Sequence, residues 1–341
     1  MSARADVIPV FVPHLGCPHA CVFCNQNRIS GQARPASAED VRRAVANAAF
    51  LPRGEKRQLA FYGGSFTAIP AAGQEALLGA AREAMESGEI DAIRLSTRPD
   101  AIDDPVLERL RRYGVETVEL GAQSMDDGVL RLSGRGHTAR DVETAAAALK
   151  AAGFRLILQM MTGLPGSNDE KEIETARRLI ALRPNGVRIY PTVIVRGTPL
   201  WEMWKRGEYR EHTVEDAVRV CAKLVPLFDA ALIPVVRLGL NPTERLSGGE
   251  AAGGAYHPAL GELVRSRILL EKERALLEGI PQGSRVTLGV SPRTLSQAIG
   301  QKKENLRILE SEFALRELKV VPADAKEGEI VILSLEKDGE V

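Results

Sequence analysis

The sequence predicts an α/β protein, a partial (β/α)6 barrel followed by a small C-terminal α+β domain. Six short apolar runs alternate with amphipathic stretches from residue 7 to about residue 195. The runs end in Gly or polar residues, as strands do at the edge of a parallel sheet where sites are built. Near residue 240 the alternation stops at a long stretch rich in Gly and Pro, which predicts a loop.

The predicted strands are VIPVFVPH, RQLAFYGG, AIRLSTRP, TVELGAQS, RLILQMMTG and GVRIYPTVI. Between and after them, apolar residues recur three and four positions apart, which is the spacing of a helix face packed on a sheet. The predicted helices are 38–49, 74–86, 104–113, 138–152, 169–182 and 213–231. Ser37, with Asp40 three residues later, is the predicted N-cap of the first helix.

The patterns divide the chain into three segments. Residues 1–235 form the predicted barrel, and residues 236–282 form a Gly- and Pro-rich junction with a helix at 260–278. Residues 283–341 carry a strand, a turn, a helix, a strand and a final short strand, which predicts the small α+β domain. A length of 341 residues with 44% hydrophobic content suffices for more than one core.

Composition excludes several classes of protein. The 45 basic and 45 acidic residues balance, so global charge argues neither for nor against a nucleic-acid partner. We expect a cytoplasmic protein without a secretory signal or membrane span, because no h-region and no run of about 18 apolar residues occurs. Four cysteines at uneven spacing do not make a disulfide framework.

Three of these cysteines lie within eight residues, in HLGCPHACVFCNQ after the first predicted strand. Cys17, Cys21 and Cys24 are spaced Cys-x3-Cys-x2-Cys, and short loops of thiolates hold iron–sulfur clusters. Three thiolates on a four-iron cluster would leave one iron open. Two alternatives remain: a Cys3His zinc site that uses His14 or His19, and a redox pair of Cys21 and Cys24.

With an aromatic residue, Phe23, before the last cysteine, this motif resembles the signature of the radical SAM superfamily. The resemblance implies an enzyme with a [4Fe–4S] cluster on the three cysteines, whose open iron binds S-adenosylmethionine. It implies that an electron cleaves the sulfonium and that a 5′-deoxyadenosyl radical abstracts hydrogen from the substrate. Flavodoxin or ferredoxin is the usual electron donor of the family.

Later motifs resemble the cofactor loops of that superfamily, in the same order. The two glycines of FYGGSFT, which let a backbone approach a ligand closely, match the loop that contacts the methionine amino group. MTGLPGS resembles the loop near adenine, and an ordinary turn is the alternative for both. The predicted S-adenosylmethionine-binding residues are Gly63, Gly64, Ser65, Arg98, Gln123 and Arg135.

Three further residues have two interpretations each. His137, in RGHT, is either functional or a helix-capping or surface histidine. His257, in the Gly-rich junction, either reaches over the mouth of the barrel or caps the helix at 260–278. Cys221 lies on a predicted helix of the core, where a free cysteine behaves as a small hydrophobic residue rather than a ligand.

The set STRPD, GAQS, RGHT and RIYPTVIVRGTPLWEMWKRGEY resembles the radical SAM half of the catalytic subunit of Elongator, over about residues 7–215. That resemblance implies modification of tRNA. Two departures limit this resemblance. The Elongator subunit has a longer gap between its first two cluster cysteines than the three residues here. It also carries an acetyltransferase domain, whereas the residues after 215 of this chain show no acetyl-CoA loop. Alternatives are a small-molecule or protein substrate, and a non-enzymatic Cys3His zinc RNA-binding protein.

AIGQKKENLRIL resembles the loop and helix of KH domains, in which Gly-x-x-Gly clamps a nucleotide backbone. Gly300 is present, but Lys303 replaces the second glycine. The segment 283–320 contains more basic than acidic residues: Arg285, Arg293, Lys302, Lys303, Arg307, Arg316 and Lys319 against Glu304, Glu310, Glu312 and Glu317. This pattern predicts contact between 283–320 and tRNA, and a solvated helix in a structural appendage is the alternative.

Overall fold

The computed structural model describes residues 5–12, 17, 20–25, 34, 36–241 and 246–337. It contains two compact units. One comprises the residues up to Ala217 together with Leu224–Pro258, and the other comprises Val218–Lys223 and the residues from Ala259 onward. The three-segment division of the chain stays a prediction. Among the described residues, no helix combines the length and the apolar character that a bilayer crossing requires.

A seven-stranded parallel sheet frames the first unit, in the order β1-β2-β3-β4-β5-β6-β8. Its strands are β1 (Ala5–Phe11), β2 (Lys56–Tyr62), β3 (Ala92–Thr97), β4 (Val115–Gln123), β5 (Arg155–Thr162), β6 (Gly186–Pro191) and β8 (Val235–Leu238). Neighbours in the sheet follow chain order, so the carboxyl ends of all strands meet at one edge. The predicted fold class is confirmed, and β8 adds a strand to the six predicted ones.

Helices alternate with these strands: α1 (Ala38–Ala48), α2 (Ala71–Glu86), α3 (Asp104–Arg112), α4 (Asp127–Leu132), α5 (Ala139–Ala151), α6 (Asp169–Ala181), α7 (Pro199–Lys205) and α8 (Val214–Ala230). Ser37 caps α1 in a capping box with Asp40, as predicted. The bounds of the predicted helices hold to within three residues. The pattern missed α4 and α7, because six or seven residues are too short to show a helical period.

The two faces of the sheet differ in polarity. Along β4, Val118, Leu120 and Ala122 are fully buried on one face, as alternation in a strand requires. Glu119 and Gln123 belong to the opposite face and are also buried. That second face therefore contains polar groups that must find partners inside the protein.

The Gly- and Pro-rich stretch near residue 240 contains a strand where a loop is predicted. β9 (Ala251–Gly254) pairs antiparallel with β7 (Val193–Val195). A Cβ on Gly254 would lie 2.7 Å from the carbonyl oxygen of Thr192, so glycine permits this close pairing. The sequence AAGG has little strand propensity, and its partner strand decides the conformation. Residues 242–245 lie outside the described residues.

The second unit is an α+β domain on a mixed three-stranded sheet. Its elements are α9 (Leu260–Leu277), β10 (Arg285–Val290), α10 (Leu295–Ile299), α11 (Glu304–Glu312), β11 (Glu317–Pro322) and β12 (Ile330–Glu336). Strand β10 is central, parallel to β11 and antiparallel to β12. Leu269, Leu277 and Leu309 from the helices pack with Val286 and Leu288 from β10 in one core.

Glu273 is an ionisable group inside this second unit. Its side chain is 0% exposed, and neither carboxylate oxygen has a hydrogen-bond partner among the described residues. Burial raises the pKa of Glu273 to about 8 from its ordinary 4.5. The folded state thus holds this proton more tightly than the unfolded chain. The contribution of Glu273 to the free energy of unfolding is therefore most favourable below pH 4.5, and it is lost as the pH rises through 8.

We therefore expect Glu273→Met to raise the free energy of unfolding at pH 9 by a few kcal/mol, since one pKa unit corresponds to about 1.4 kcal/mol. Urea unfolding at pH 5 and pH 9 measures the effect. The exposed neighbour Glu271 supplies the control variant Glu271→Met. An equal loss of stability between pH 5 and pH 9 in the wild type and Glu273→Met would contradict the assignment.

Candidate active site

The cysteine loop follows β1 at the carboxyl edge of the sheet. The backbone N–H of Val12 donates to the carbonyl of Tyr62 (2.7 Å), which extends the pairing of β1 with β2 up to this loop. Cys21 is buried, and Cys17 and Cys24 are half-buried. The N–H of Cys24 donates to the carbonyl of Cys21 (3.1 Å), so a tight turn joins these two thiols. His14 and His19, the predicted zinc ligands, lie outside the described residues.

Two other segments fix the cysteine loop through Val22. Its N–H donates to the carbonyl of Ser133 (3.1 Å), and its carbonyl accepts from the N–H of Leu200 in α7 (2.8 Å). Gly134, with φ of 66°, faces the loop so closely that a Cβ would lie 3.1 Å from the carbonyl oxygen of Ala20. The motif RLSGRGHT therefore serves first as a brace for the cysteines.

Aromatic side chains cover one side of this loop. Phe23 packs with Trp201 and Trp204 of α7 in a cluster around Leu200 and Tyr209. Such a cluster displaces water from the side chains that it contains, Phe23 of the cysteine loop among them.

The glycine loop after β2 reaches the first cysteine. Gly63 has φ of 86°, a left-handed conformation that glycine adopts without strain. The turn places the buried hydroxyl of Ser65 3.3 Å from the sulfur of Cys17. The cysteine loop and the glycine loop, two predicted sets of site residues, are thus adjacent in space. The contact joins residues 48 positions apart in the chain.

Arg135 links the second cysteine to β4. Its Nη1 donates to the sulfur of Cys21 (3.2 Å) and its Nη2 to the carbonyl of Gly121 (2.8 Å). A Cβ at position 121 would lie 3.3 Å from Nη2 and 3.0 Å from the side-chain nitrogen of Gln123, so glycine there makes room for both side chains.

Arg98 supports Arg135 through the backbone. Its Nη2 donates to the carbonyl of Arg135 (2.6 Å), and its Nε pairs with Asp100. The guanidinium is almost fully buried, and these two contacts orient it toward the Arg135 loop.

Gln123 ends β4 with φ of 65°, which is unusual for a residue with a side chain. Its buried amide oxygen accepts from Gln159 (3.4 Å). Strain of this kind, on the order of 1–3 kcal/mol, gathers at binding sites where a side chain must point in one direction.

His137 lies inside the protein, so its interpretation as a surface residue is wrong. It is 4% exposed, and its Nε2 lies 3.1 Å from the carbonyl of Ala122, which selects the tautomer that donates there. Burial, and then the charge of Arg135, lower the pKa of His137 to about 4, so the ring is neutral at neutral pH. Thr138 supplies the cap of α5, and His137 does not. His257 is half-buried, and its two interpretations stay predictions.

Sequence reasoning missed the residues that hold the loop after β5. The N–H of Gly163 donates to Glu172 (2.6 Å), and the Tyr209 hydroxyl donates to the carbonyl of Gly163 (2.6 Å). The ring of His212 packs so closely that a Cβ on Gly163 would lie 2.1 Å from it. No local spacing marks these three residues, since they reach the loop from α6 and from the segment between α7 and α8.

A charged network on the polar face of the sheet was also missed. Glu119 of β4 is 1% exposed and pairs with Arg94 of β3 (2.7 Å) and Arg188 of β6 (2.7 Å). The Tyr62 hydroxyl donates to Glu119 (3.0 Å), and Arg188 donates to the Tyr190 hydroxyl (3.0 Å). The available signal was a charge in the middle of each of three apolar strands.

Over the part of the chain that the structure describes, no three Cys, His, Asp or Glu side chains lie close enough together to hold a metal ion. The contacts that do converge here are those of the cysteines with Ser65 and Arg135.

Residues 11–179 match the model of the radical SAM superfamily, and residues 184–269 match that of the Radical_SAM C-terminal domain. The chain is 32% identical over 179 residues to Elongator complex protein 3 of Homo sapiens, covering 52% of this chain and 32% of that protein. It is 35% identical over 132 residues to tRNA uridine(34) acetyltransferase of Methanocaldococcus infernus, and the match covers 38% of this chain and 25% of that protein. It thus spans a third or less of the length of these relatives.

The fold is similar to the solved structure of the archaeal Methanocaldococcus infernus Elp3 with an N-terminal deletion. The TM-score is 0.63 at 22% identity, over 83% of this chain and 67% of that one. At this identity the likeness establishes the fold. From the two matched domain models and these relatives, the chain is an enzyme that belongs to the radical SAM superfamily, in its Elongator-like branch.

Proposed function

We propose that this enzyme holds a [4Fe–4S] cluster on Cys17, Cys21 and Cys24, cleaves S-adenosylmethionine and modifies tRNA. The observation that carries the proposal is the convergence of two loops on the cysteine loop. Ser65 from the loop after β2 lies beside Cys17, and Arg135 from the loop after α4 lies beside Cys21.

The donor set suits an iron–sulfur cluster. Three thiols come from one short loop, and the sulfurs of Cys17 and Cys21 lie beside a hydroxyl and a guanidinium rather than apolar groups alone. The fourth cysteine, Cys221, is buried on α8, outside this loop, which leaves three thiols for the cluster. When bound, the cluster supplies the electron that cleaves the sulfonium of S-adenosylmethionine.

The chain's own residues would bind and orient S-adenosylmethionine. The loop of Gly63 and Gly64 offers backbone groups without side chains, and Ser65 offers a hydroxyl. Gln123 presents an amide fixed by its strained backbone, and Arg135 presents a cation for a carboxylate. Arg98 acts through the backbone of Arg135, which it holds.

The surroundings of Cys21 suit radical chemistry because water is kept out. Cys21 is buried, and the next two residues of the chain, Val22 and Phe23, pack against the cluster that contains Leu200 and Tyr209. Exclusion of water prevents side reactions of a reactive intermediate. We expect a flavodoxin or ferredoxin to supply the electron.

The contact with tRNA would lie at the loop between α10 and α11, in the segment 283–320. Lys302 and Lys303 are exposed, and both have left-handed φ angles of 50° and 62°. Lys303 thus adopts, where the KH motif has its second glycine, a conformation that glycine favours. Strain in two adjacent lysines supports a role in binding.

The same loop is firmly anchored beneath its lysines. The buried amide of Asn305 donates to the carbonyl of Ala298 (3.0 Å), and a Cβ on Gly300 would lie 2.6 Å from the Asn305 oxygen. A loop whose backbone is already held loses little backbone entropy when the lysines that it carries pair with phosphates. The name of one relative, tRNA uridine(34) acetyltransferase, supports tRNA as the nucleic acid.

The test follows 5′-deoxyadenosine formation by the reconstituted, chemically reduced enzyme with and without total tRNA. Strong stimulation by tRNA supports the proposal and justifies mapping of the altered nucleotide. Cleavage that tRNA does not stimulate would keep the radical chemistry and direct the search to small molecules or proteins as substrates.

We expect the double variant Lys302→Glu, Lys303→Glu to bind tRNA more weakly in the full-length protein. The slope of log K against log salt should become less steep by about one per lost lysine, since each phosphate contact releases counterions. Filter binding at several salt concentrations measures this slope. The exposed Lys326, outside 283–320, gives the control Lys326→Glu, and equal salt slopes in the two variants would contradict the assigned surface.

A further inference from the structure

The positive charge of Arg135 next to Cys21 indicates a role for this residue in addition to the binding of S-adenosylmethionine. We propose that Arg135 sets the reduction potential of the cluster by donating an N–H hydrogen bond to the sulfur of Cys21. This inference rests on the proposed cluster, and it gives Arg135 a role that would persist when no S-adenosylmethionine is bound.

The geometry fixes the donor on the sulfur. Nη1 of Arg135 lies 3.2 Å from the sulfur of Cys21, and Nη2 is held by the carbonyl of Gly121 at 2.8 Å. The backbone of Arg135 is held in turn by Arg98 at 2.6 Å. Both ends of the contact are buried, with Arg135 9% and Cys21 8% exposed, so solvent screens the interaction little.

The three cysteines are therefore not equivalent. Cys17 lies beside the neutral hydroxyl of Ser65, whereas Cys21 lies beside a full positive charge. Reduction adds one negative charge to a cluster. Hydrogen bonds to cluster sulfurs and nearby cations stabilise the reduced form more than the oxidised form and raise the potential.

A purely structural role of Arg135 predicts a different result. If the side chain only braced the loop, its loss would change cluster content or stability and leave the potential of any intact cluster unchanged. A role only in binding S-adenosylmethionine would change the affinity for that cofactor and leave the potential unchanged in its absence.

The experiment is an EPR-monitored redox titration of the reconstituted full-length protein without S-adenosylmethionine. We expect Arg135→Met to shift the equilibrium about tenfold toward the oxidised cluster, a midpoint about 59 mV lower. Arg135→Lys, which keeps the charge, should recover part of the shift. Arg131→Met, which removes an exposed arginine of α4, should leave the midpoint at the wild-type value.

Iron and sulfide contents are measured on every sample. A midpoint in Arg135→Met equal to that of the wild type, with an intact cluster, would overturn the inference. If Arg135→Met does not retain a cluster, Arg135→Leu decides, because it also removes the charge and every side-chain N–H; a wild-type midpoint there overturns the inference and a lowered one supports it. Absence of a cluster from the wild type would instead refute the proposed function on which the inference rests.

Discussion

Replacing Cys21 by alanine is expected to abolish 5′-deoxyadenosine formation, whereas replacing Cys221 is not. Cys21 is the buried thiol of the loop that contacts Arg135, and two remaining thiolates cannot hold a four-iron cluster in the same way. Product formation from S-adenosylmethionine under anaerobic, reducing conditions measures the effect. We expect the loss to be complete, because the reaction has no other source of the electron.

Cys221→Ala is the matched control for this prediction. Its thiol is fully buried on α8, so the change removes a small buried group at a cost of about 1 kcal/mol and leaves the cysteine loop intact. Full product formation by Cys21→Ala, or equal losses in both variants, would contradict the assignment of Cys21 as a ligand.

Replacing Glu119 by glutamine is expected to lower the free energy of unfolding by about 3–5 kcal/mol, because it leaves two largely buried arginines, 11% and 14% exposed, without their shared anion. Arg94 and Arg188 both lie 2.7 Å from its carboxylate on the polar face of the sheet. The change keeps the volume of the side chain, so packing accounts for little of the loss. Urea unfolding followed by circular dichroism measures it.

Glu116 provides the control on the same strand. It pairs with Lys56 at 2.6 Å, but both side chains are about one-third exposed or more, at 32% and 40%. Glu116→Gln should therefore cost less than about 1 kcal/mol, since exposed ion pairs contribute little. A loss in Glu119→Gln no larger than in Glu116→Gln would show that the network does not stabilise the sheet.

The strands and long helices followed from hydrophobic periodicity because the sheet buries continuous apolar runs and packs them under amphipathic helices. Hydrophobic periodicity could not predict β9, because its sequence AAGG becomes a strand only by pairing with Val193–Val195. Short helices such as Pro199–Lys205 escaped because seven residues are too few to show a helical period.

The candidate site was predictable in position but not in its contacts. Motif order placed Ser65 and Arg135 at the carboxyl edge, yet the partner of Arg135 is Cys21, 114 residues away. The Glu119 network depends on side chains from four strands, and the carbonyl of Gly163 accepts from Tyr209, 46 positions later in the chain. Such pairings are decided by tertiary packing, which local sequence does not encode.

The metal content of protein purified and reconstituted without oxygen decides whether the three cysteines hold an iron–sulfur cluster. We predict about four irons and four acid-labile sulfides per chain, as a [4Fe–4S] cluster requires, with loss of both in Cys21→Ala. Zinc without iron after the same treatment would contradict the account and would favour a zinc site on the same cysteines.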